Sequence, residues 1–135
     1  MNKTARSALT EALAIQQRAA AVGFDWPDAE GPRAKIAEEF AELEHAVGHS
    51  RDSASSEINE ELGDLLFAVA NDARHLDVEP EAALTAANEK FRRRFRYIEE
   101  RLAVEGLHPR DVNLTRLDAL WEDAKCSERT ENSGG

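Results

Sequence analysis

Apolar residues recur three or four positions apart along most of the chain, which is the spacing of one face of an α-helix. The clearest stripe is formed by Ile36, Phe40, Leu43 and Val47, whose spacing predicts an amphipathic helix. No run of alternating apolar and polar residues typical of a β-strand interrupts this pattern. The sequence therefore predicts an all-α fold, a bundle of four or five helices.

Proline and glycine residues mark where the predicted helices begin and end. Gly23 is placed to end the first helix, and Gly106 to end the fourth. Pro32 is placed in the first turn of the second helix, and Pro80 in the first turn of the fourth. Thr115 begins a weak capping-box pattern for a short last helix. The predicted helices span about residues 4–22, 32–47, 56–76, 80–105 and 115–125, and residues 126–135 are predicted to be a disordered polar tail.

The third and fourth helices carry their own apolar stripes, which we expect to face the core. The stripe of the third helix consists of Ile58, Leu62, Leu65, Leu66, Val69, Ala73 and Leu76, and that of the fourth consists of Leu84, Phe91, Phe95, Ile98 and Leu102.

Length and composition narrow the class of protein. The chain has 135 residues, which favours one domain, predicted over residues 1–125. Its 27 acidic and 17 basic residues give a net charge of −10, which argues against a general nucleic-acid-binding surface. No stretch approaches the ~20 apolar residues of a membrane span. The single cysteine, Cys126, has no partner for an internal disulfide, so we expect a reducing, cytoplasmic location.

Acidic residues are concentrated on the second and third helices. Glu39 and Glu42 are three residues apart, as are Glu61 and Asp64, so each pair lies on one helix face beside the apolar stripe. If the two helices pack antiparallel, the four carboxylates converge at one rim. Hard carboxylate oxygens favour Mg²⁺ or Mn²⁺ as the bound ion. A solvated acidic face on each helix is the alternative interpretation.

A basic cluster follows on the fourth helix, where residues 90–96 include five cations. Lys90 and Arg94 lie four residues apart beside Phe91, at the edge of the apolar stripe. Cations there could contact the phosphates of a polyphosphate held by a metal site. Nucleic acid is the competing ligand, and the net charge makes it the weaker choice.

The pattern Glu38-Glu39-x-x-Glu42, eighteen intervening residues and Glu61-x-x-Asp64 resembles the signature of the MazG family of nucleoside triphosphate pyrophosphohydrolases. This family belongs to the all-α NTP pyrophosphatase superfamily. The resemblance covers about residues 8–125. It includes the segments Val22–Asp28, Glu60–Phe67, Asn88–Phe95 and Leu120–Lys125.

This resemblance implies roles for particular residues. Glu39, Glu42, Glu61 and Asp64 correspond to Mg²⁺ ligands. The resemblance also implies homodimers that share a four-helix core and build each site partly from the neighbour, with a tetramer left open. The positions that correspond to nucleotide contacts are Lys35, Glu38, Glu60, Lys90, Arg94 and Trp121.

The expected reaction is attack of water on the α-phosphate of a (deoxy)nucleoside triphosphate, which releases pyrophosphate and a nucleoside monophosphate. Glu38 is the first candidate for orienting or deprotonating that water, and Glu39 is the second. Trp121 is expected either to stack on the nucleotide or to anchor the last helix. Trp26 is expected to plug a loop in preference to contacting the base.

Three other functions remain open at this point. One is a relative with a narrower substrate, a dUTPase or a phosphoribosyl-ATP pyrophosphohydrolase, and another is a non-catalytic helical interaction module. The third is a carboxylate-bridged di-iron bundle, which uses Glu-x-x-His motifs. The nearest matches to that motif end at His45 and His75, but neither histidine lies on a predicted core stripe.

Overall fold

A computed structural model of the chain describes residues 7–49 and 55–133, and every regular element in these ranges is helical. The prediction of an all-α fold is confirmed. Among the described residues, no helix is both long and apolar enough to cross a bilayer. The helices are α1 (Ala8–Ala21), α2 (Glu30–His49), α3 (Ser56–His75), α4 (Pro80–Val104) and α5 (Leu114–Ser133), with a 3₁₀ turn at Pro109–Asp111.

Local hydrogen bonds account for several helix ends. Ser7 Oγ accepts a hydrogen bond from the Thr10 amide at 3.1 Å, which caps α1. Ser55 Oγ accepts one from the Ile58 amide at 3.2 Å, which caps α3. Gly23 follows α1 with φ of +96°, a conformation that glycine adopts readily. The predicted helical residues 4–6 lie outside the described residues, as do residues 50–54 of the predicted loop.

The start of α5 is one residue earlier than predicted. Asn113 Oδ1 accepts a hydrogen bond from the Arg116 amide at 2.9 Å, so Asn113 caps this helix and Thr115 lies inside its first turn. The capping box predicted at Thr115 is therefore replaced by a cap two residues earlier, since an Asn side chain satisfies the free amide equally well.

The end of α5 differs more, because the helix continues to Ser133. Residues 126–133 of the predicted disordered tail are helical, and residues 134–135 lie outside the described residues. The physical reason is a pair of contacts to α4. Glu128 accepts hydrogen bonds from the Nε atoms of Arg93 and Arg94, each at 3.0 Å. These two charge-assisted contacts hold the last turns of α5 against the arginines of α4.

The chain divides into two compact units, Met1–Ala83 and Leu84–Gly135. In the first unit, α3 packs against both α1 and α2. Arg33 Nε lies 3.9 Å from Asp72 Oδ1, whereas a Glu39 carboxylate oxygen lies within 4.8 Å of one on Asp64. Because residue numbers rise along α2 as they fall along α3, these two helices run antiparallel, which is the condition that the sequence analysis set for convergence of the carboxylates.

The second unit has an apolar core between the C-terminal part of α4 and α5. Ile98, Leu102 and Leu120 are buried at its centre. The predicted core positions Ile98 and Leu102 are thus confirmed. Four half-buried residues complete the cluster, namely Leu107, Val112, Leu117 and Trp121.

The predicted stripe of α3 does not form the core of this chain. Leu62, Leu66 and Val69 are 44%, 53% and 44% exposed, whereas Ala68 and Ala70 are buried. Small side chains let neighbouring helices approach closely, so α3 turns its alanines inward. Leu76, at the end of the same stripe, is exposed as well. Part of the other predicted stripes is also exposed, at Phe40, Val47, Leu84 and Phe91.

Candidate active site

Three of the four predicted metal ligands converge between α2 and α3. Glu39, Glu61 and Asp64 each offer a carboxylate oxygen, and these oxygens all lie within 4.8 Å of one another. Glu61 and Asp64 share one face of α3 because they are three residues apart, and the antiparallel packing brings Glu39 opposite them. Glu39 is buried, Glu61 is half-buried and Asp64 is exposed. We call these three residues the carboxylate cluster.

Repulsion within this region acts on the ionisation of Glu61. The pKa of Glu61 is raised above its usual range, first by burial and then by the charges of Glu42, Asp64, Glu39 and Glu60. Glu42, the fourth predicted ligand, is therefore near enough to repel Glu61, although it lies outside the carboxylate cluster. A bound cation would relieve this repulsion and favour the ionised form.

Lys35 neutralises part of the negative charge from one turn away on α2. Its Nζ lies 2.8 Å from Glu38 Oε2 and 3.0 Å from Glu39 Oε1. Hydrogen bonds to these two carboxylates hold the pKa of Lys35 well above its usual range. Burial of a carboxylate is costly unless the carboxylate is paired, so Lys35 compensates the burial of Glu39. The exposed Glu38 is joined to the cluster through this shared lysine.

A cavity of about 680 Å³ lies beside the carboxylate cluster, within the first unit. Glu39 and Asp64 belong to both the cluster and the cavity wall, and Lys35 lines the cavity too. The remaining wall is mainly apolar and aromatic, with a few amide and charged groups. It is formed by Ile15, Gln16, Ala19, Phe24, Asp25, Trp26, Phe67, Ala68, Asn71 and Arg74.

Trp26 is held in the wall of the cavity by the loop before α2. A Cβ atom at Gly31 would lie 2.6 Å from Trp26 Cε3, so the absence of a side chain there makes room for the indole ring. Asp25 Oδ1 accepts from the Trp26 amide at 2.7 Å and also contacts Arg74 and His75 at 2.5 and 2.9 Å. The Arg74 hydrogen bond, with further help from His75 and the amide, keeps the pKa of Asp25 well below its usual range.

Gln16 is a wall residue that the sequence analysis missed. Its side chain is 6% exposed, and its Nε2 donates a hydrogen bond to the Phe67 carbonyl oxygen at 2.9 Å. Its Oε1 is buried and has no hydrogen-bond partner among the described residues. One signal was available, because Leu9, Leu13 and Gln16 follow i, i+4, i+7 spacing. A polar residue at a core position of an apolar stripe is unusual unless it has a partner or a ligand.

The predicted residues of the second unit have their own contacts. Arg94 lies 2.9 Å from Glu128, and its guanidinium carbon is 5.4 Å from the ring centroid of Trp121. Trp121 is half-buried against the core cluster and tilted against Phe91 at 5.5 Å between ring centroids. These contacts are those expected of an anchor for α5. The nucleotide contacts expected from Arg94, Trp121 and the exposed Lys90 stay predictions.

The histidines considered for a di-iron site lie elsewhere. His45 is exposed and its ring centroid lies 4.1 Å from that of His49, while His75 contacts Asp25. Within residues 7–49 and 55–133, the cluster suited to a metal ion consists of carboxylates alone. The donor set therefore favours a hard cation over a histidine-ligated di-iron centre.

A comparison with protein families identifies residues 29–98 as a MazG nucleotide pyrophosphohydrolase domain. This region contains the whole carboxylate cluster and covers more than half of the chain. The chain belongs to the MazG family. The resemblance inferred from the acidic pattern is thus confirmed.

Individual MazG proteins agree with this assignment. The chain is 43% identical over 123 residues to the nucleoside triphosphate pyrophosphohydrolase/pyrophosphatase MazG of Thermotoga maritima, covering 91% of this chain and 46% of that protein. It is 41% identical over 123 residues to the nucleoside triphosphate pyrophosphohydrolase of Escherichia coli K12, covering 90% and 46%. The chain thus spans about half the length of the curated MazG relatives it matches.

Proposed function

We propose that this chain hydrolyses (deoxy)nucleoside triphosphates to nucleoside monophosphates and pyrophosphate. The observation that carries the proposal is that Glu39 and Asp64 belong to both the carboxylate cluster and the wall of the cavity. A substrate in this cavity would lie directly beside a group of oxygens suited to a divalent cation. The names of the matched relatives support the same reaction class.

Mg²⁺, with Mn²⁺ as a substitute, is the proposed cofactor. The carboxylate cluster fits this ion, because its oxygens are hard ligands within 4.8 Å of one another. Burial and then the charges of neighbouring carboxylates raise the pKa of Glu61, and a bound cation would offset both effects. Glu39, Glu61 and Asp64 would hold it, with Glu42 as the fourth ligand. When bound, the ion supplies electrostatic stabilisation of the triphosphate and lowers the pKa of water.

The residues of the chain would then direct the displacement at the α-phosphate. Water adds to the α-phosphorus, the bond from that phosphorus to the bridging oxygen breaks, and pyrophosphate leaves. Glu38 is the proposed base, since it is exposed and adjacent to the cluster, and Glu39 is the alternative. Lys35 holds both carboxylates within 3.0 Å and so sets their positions. The proposed nucleotide contacts are Lys35, Glu38, Glu60, Lys90, Arg94 and Trp121.

We also propose that the chain works as a homodimer, with a tetramer as the alternative. Leu62, Leu66 and Val69 form an exposed apolar stripe with i, i+4, i+7 spacing on α3. An uncovered stripe of this kind on a helix is typical of an interface. Sedimentation equilibrium across a range of protein concentrations tests this assembly, and a mass of one chain at every concentration would contradict it. The cytoplasmic location and the absence of nucleic-acid binding stay predictions.

The reaction is tested by substitution of Glu39 with its neutral amide. Glu39→Gln keeps the size of the side chain but removes one charge and one metal ligand. We expect pyrophosphate release from a panel of (d)NTPs with Mg²⁺ to fall by about 100-fold or more. Circular dichroism should show the helix content of the parent. Calorimetric titration with Mg²⁺ alone should show weaker binding.

Glu44→Gln is the matched control, because Glu44 is exposed on the same helix and lies outside the carboxylate cluster. This variant should hydrolyse triphosphates at the parent rate. A Glu39→Gln protein as active as the parent would contradict the ligand assignment. Release of inorganic phosphate in place of pyrophosphate would contradict attack at the α-phosphate.

The same assay, with phosphoribosyl-ATP added to the panel, separates the alternative functions. Turnover of dUTP alone, or of phosphoribosyl-ATP alone, would identify a relative with a narrower substrate. Absence of both Mg²⁺ binding and turnover across the panel would favour a non-catalytic interaction module.

A further inference from the structure

Two exposed histidines lie next to each other in the C-terminal part of α2. His45 and His49 are four residues apart, so about one helical turn separates them on the same face of the helix. Their ring centroids are 4.1 Å apart, and the ring planes are inclined at 39°. The two imidazoles therefore form a pair on the surface, and this pair belongs neither to the carboxylate cluster nor to the wall of the 680 Å³ cavity.

This spacing allows two histidines of one helix to bind the same metal ion. Histidines four residues apart hold zinc in the H-E-x-x-H motif of metalloproteases. Zinc–nitrogen bonds of about 2.0–2.1 Å in a tetrahedral site place two ligand nitrogens roughly 3.3 Å apart. Rings whose centroids are 4.1 Å apart reach that separation by small rotations about χ2, a torsion with a broad energy minimum in histidine.

The residues between the two histidines exclude the chemistry of that motif. They are Ala46, Val47 and Gly48, so the glutamate that acts as the general base of a metalloprotease is missing. The pair can therefore hold an ion, but it lacks the group that would activate water beside it.

The pair and the carboxylate cluster prefer different ions. Imidazole nitrogen suits Zn²⁺, Ni²⁺ and Cu²⁺, whereas carboxylate oxygen suits Mg²⁺ and Mn²⁺. Glu42 precedes His45 by three residues and His49 by seven, so its exposed carboxylate lies on the same helix face and attracts a divalent cation to the pair.

We propose that His45 and His49 form a second metal site, which binds a transition-metal ion of the Zn²⁺, Ni²⁺ and Cu²⁺ class through one nitrogen of each ring. Water completes the coordination shell, because the pair supplies two protein ligands and both residues are exposed. The site binds its ion whether or not the chain hydrolyses triphosphates, so this inference does not depend on the proposed function.

Titration with Cu²⁺ in the presence of excess Mg²⁺ tests this site. Mg²⁺ competes for the carboxylate cluster, whereas Cu²⁺ retains its preference for imidazole. Electron paramagnetic resonance of the parent with one equivalent of Cu²⁺ should show hyperfine splitting from nitrogen ligands. Calorimetry with Zn²⁺ under the same conditions measures the affinity for a second ion of the class.

Single and double substitutions distinguish a chelating pair from two independent histidines. His45→Gln and His49→Gln should each lower the affinity for Cu²⁺ and Zn²⁺ by about tenfold or more, because the second ligand binds at a high effective concentration only when the first is present. The double variant should bind little more weakly than either single variant. Circular dichroism establishes that all three variants keep the helix content of the parent.

His108→Gln is the matched control, because His108 is also exposed but lies in the second unit. This variant should keep the affinity and the nitrogen splitting of the parent. A parent spectrum without nitrogen splitting would overturn the site. Single variants at His45 and His49 that bind both ions as tightly as the parent would overturn it as well.

Discussion

The contact between Trp26 and Gly31 gives a quantitative prediction for the substitution Gly31→Ala. In most helices this change is stabilising, by up to about 1 kcal/mol, because alanine has the higher helix propensity. Here the new Cβ would lie 2.6, 2.7 and 2.9 Å from three atoms of the indole ring. The closest of these contacts is about 1 Å shorter than the ~3.5 Å optimum between carbon atoms. The ring must therefore move out of its position.

The cost follows from the burial of the ring. Trp26 is 43% exposed, so a little more than half of its surface is covered. A tryptophan has about 150–250 Å² to bury, so displacement would return roughly 100 Å² to water, worth up to ~2.5 kcal/mol. Subtracting the gain in helix propensity leaves a net destabilisation of about 1–2 kcal/mol, or a fall in Tm of roughly 3–10 °C.

Thermal and urea unfolding followed by circular dichroism measure this change, together with kcat/KM for the preferred triphosphate. Gly48→Ala is the matched control, because Gly48 lies on the same helix with open space around its Cβ position, and its Tm should equal or exceed that of the parent. In a Trp26→Ala background, Gly31→Ala should lose its destabilising effect. If Gly31→Ala is as stable as Gly48→Ala and has the parent kcat/KM, the position of the Trp26 indole ring does not depend on the absence of a side chain at Gly31.

Two further predictions concern charged groups. The pKa of Asp25 is lower in the folded chain than in the unfolded chain, where it is about 3.9. The ionised carboxylate therefore stabilises the folded chain above about pH 3.9, and this stabilisation is lost as the pH falls towards the folded pKa. Urea unfolding of the parent and of Asp25→Asn should therefore differ more at pH 7 than at pH 3, and an equal difference would contradict the pairing with Arg74. Glu128→Gln should weaken the ion pairs that Arg93 and Arg94 form with Glu128. If Arg94 contacts phosphate, its release should lower the KM for triphosphate, and an unchanged KM would count against that contact.

Local signals predicted the helices well because their causes lie close in sequence. Pro80 begins α4 as predicted, and Gly23 and Gly106 adopt positive φ just beyond the ends of α1 and α4. The acidic spacing also predicted that Glu61 and Asp64 share one face of α3, since i, i+3 positions do so whatever the rest of the fold does. Their meeting with Glu39 depended on antiparallel packing of α2 and α3, which the sequence analysis set as a condition.

Features that depend on distant partners could not be predicted in the same way. The helical state of residues 126–133 depends on Glu128 meeting arginines 34 and 35 positions away, and a polar composition alone indicated disorder. The apolar stripe of α3 identified hydrophobic positions correctly, but not that Ala68 and Ala70 would be the residues buried within one chain. The orphan acceptor of Gln16 follows from its bond to Phe67, 51 residues away.

The division of labour among the first three helices has a consequence for how such a domain diversifies. The acids proposed to hold a cation lie on α2 and α3, and two of them line the cavity that Gln16 and its neighbour Ile15 line from α1. If the proposed substrate occupies this cavity, substitutions on α1 can change substrate preference without altering the proposed metal ligands on α2 and α3. A library randomised at Ile15 and Gln16 would test for altered substrate preference while the carboxylate cluster stays unchanged.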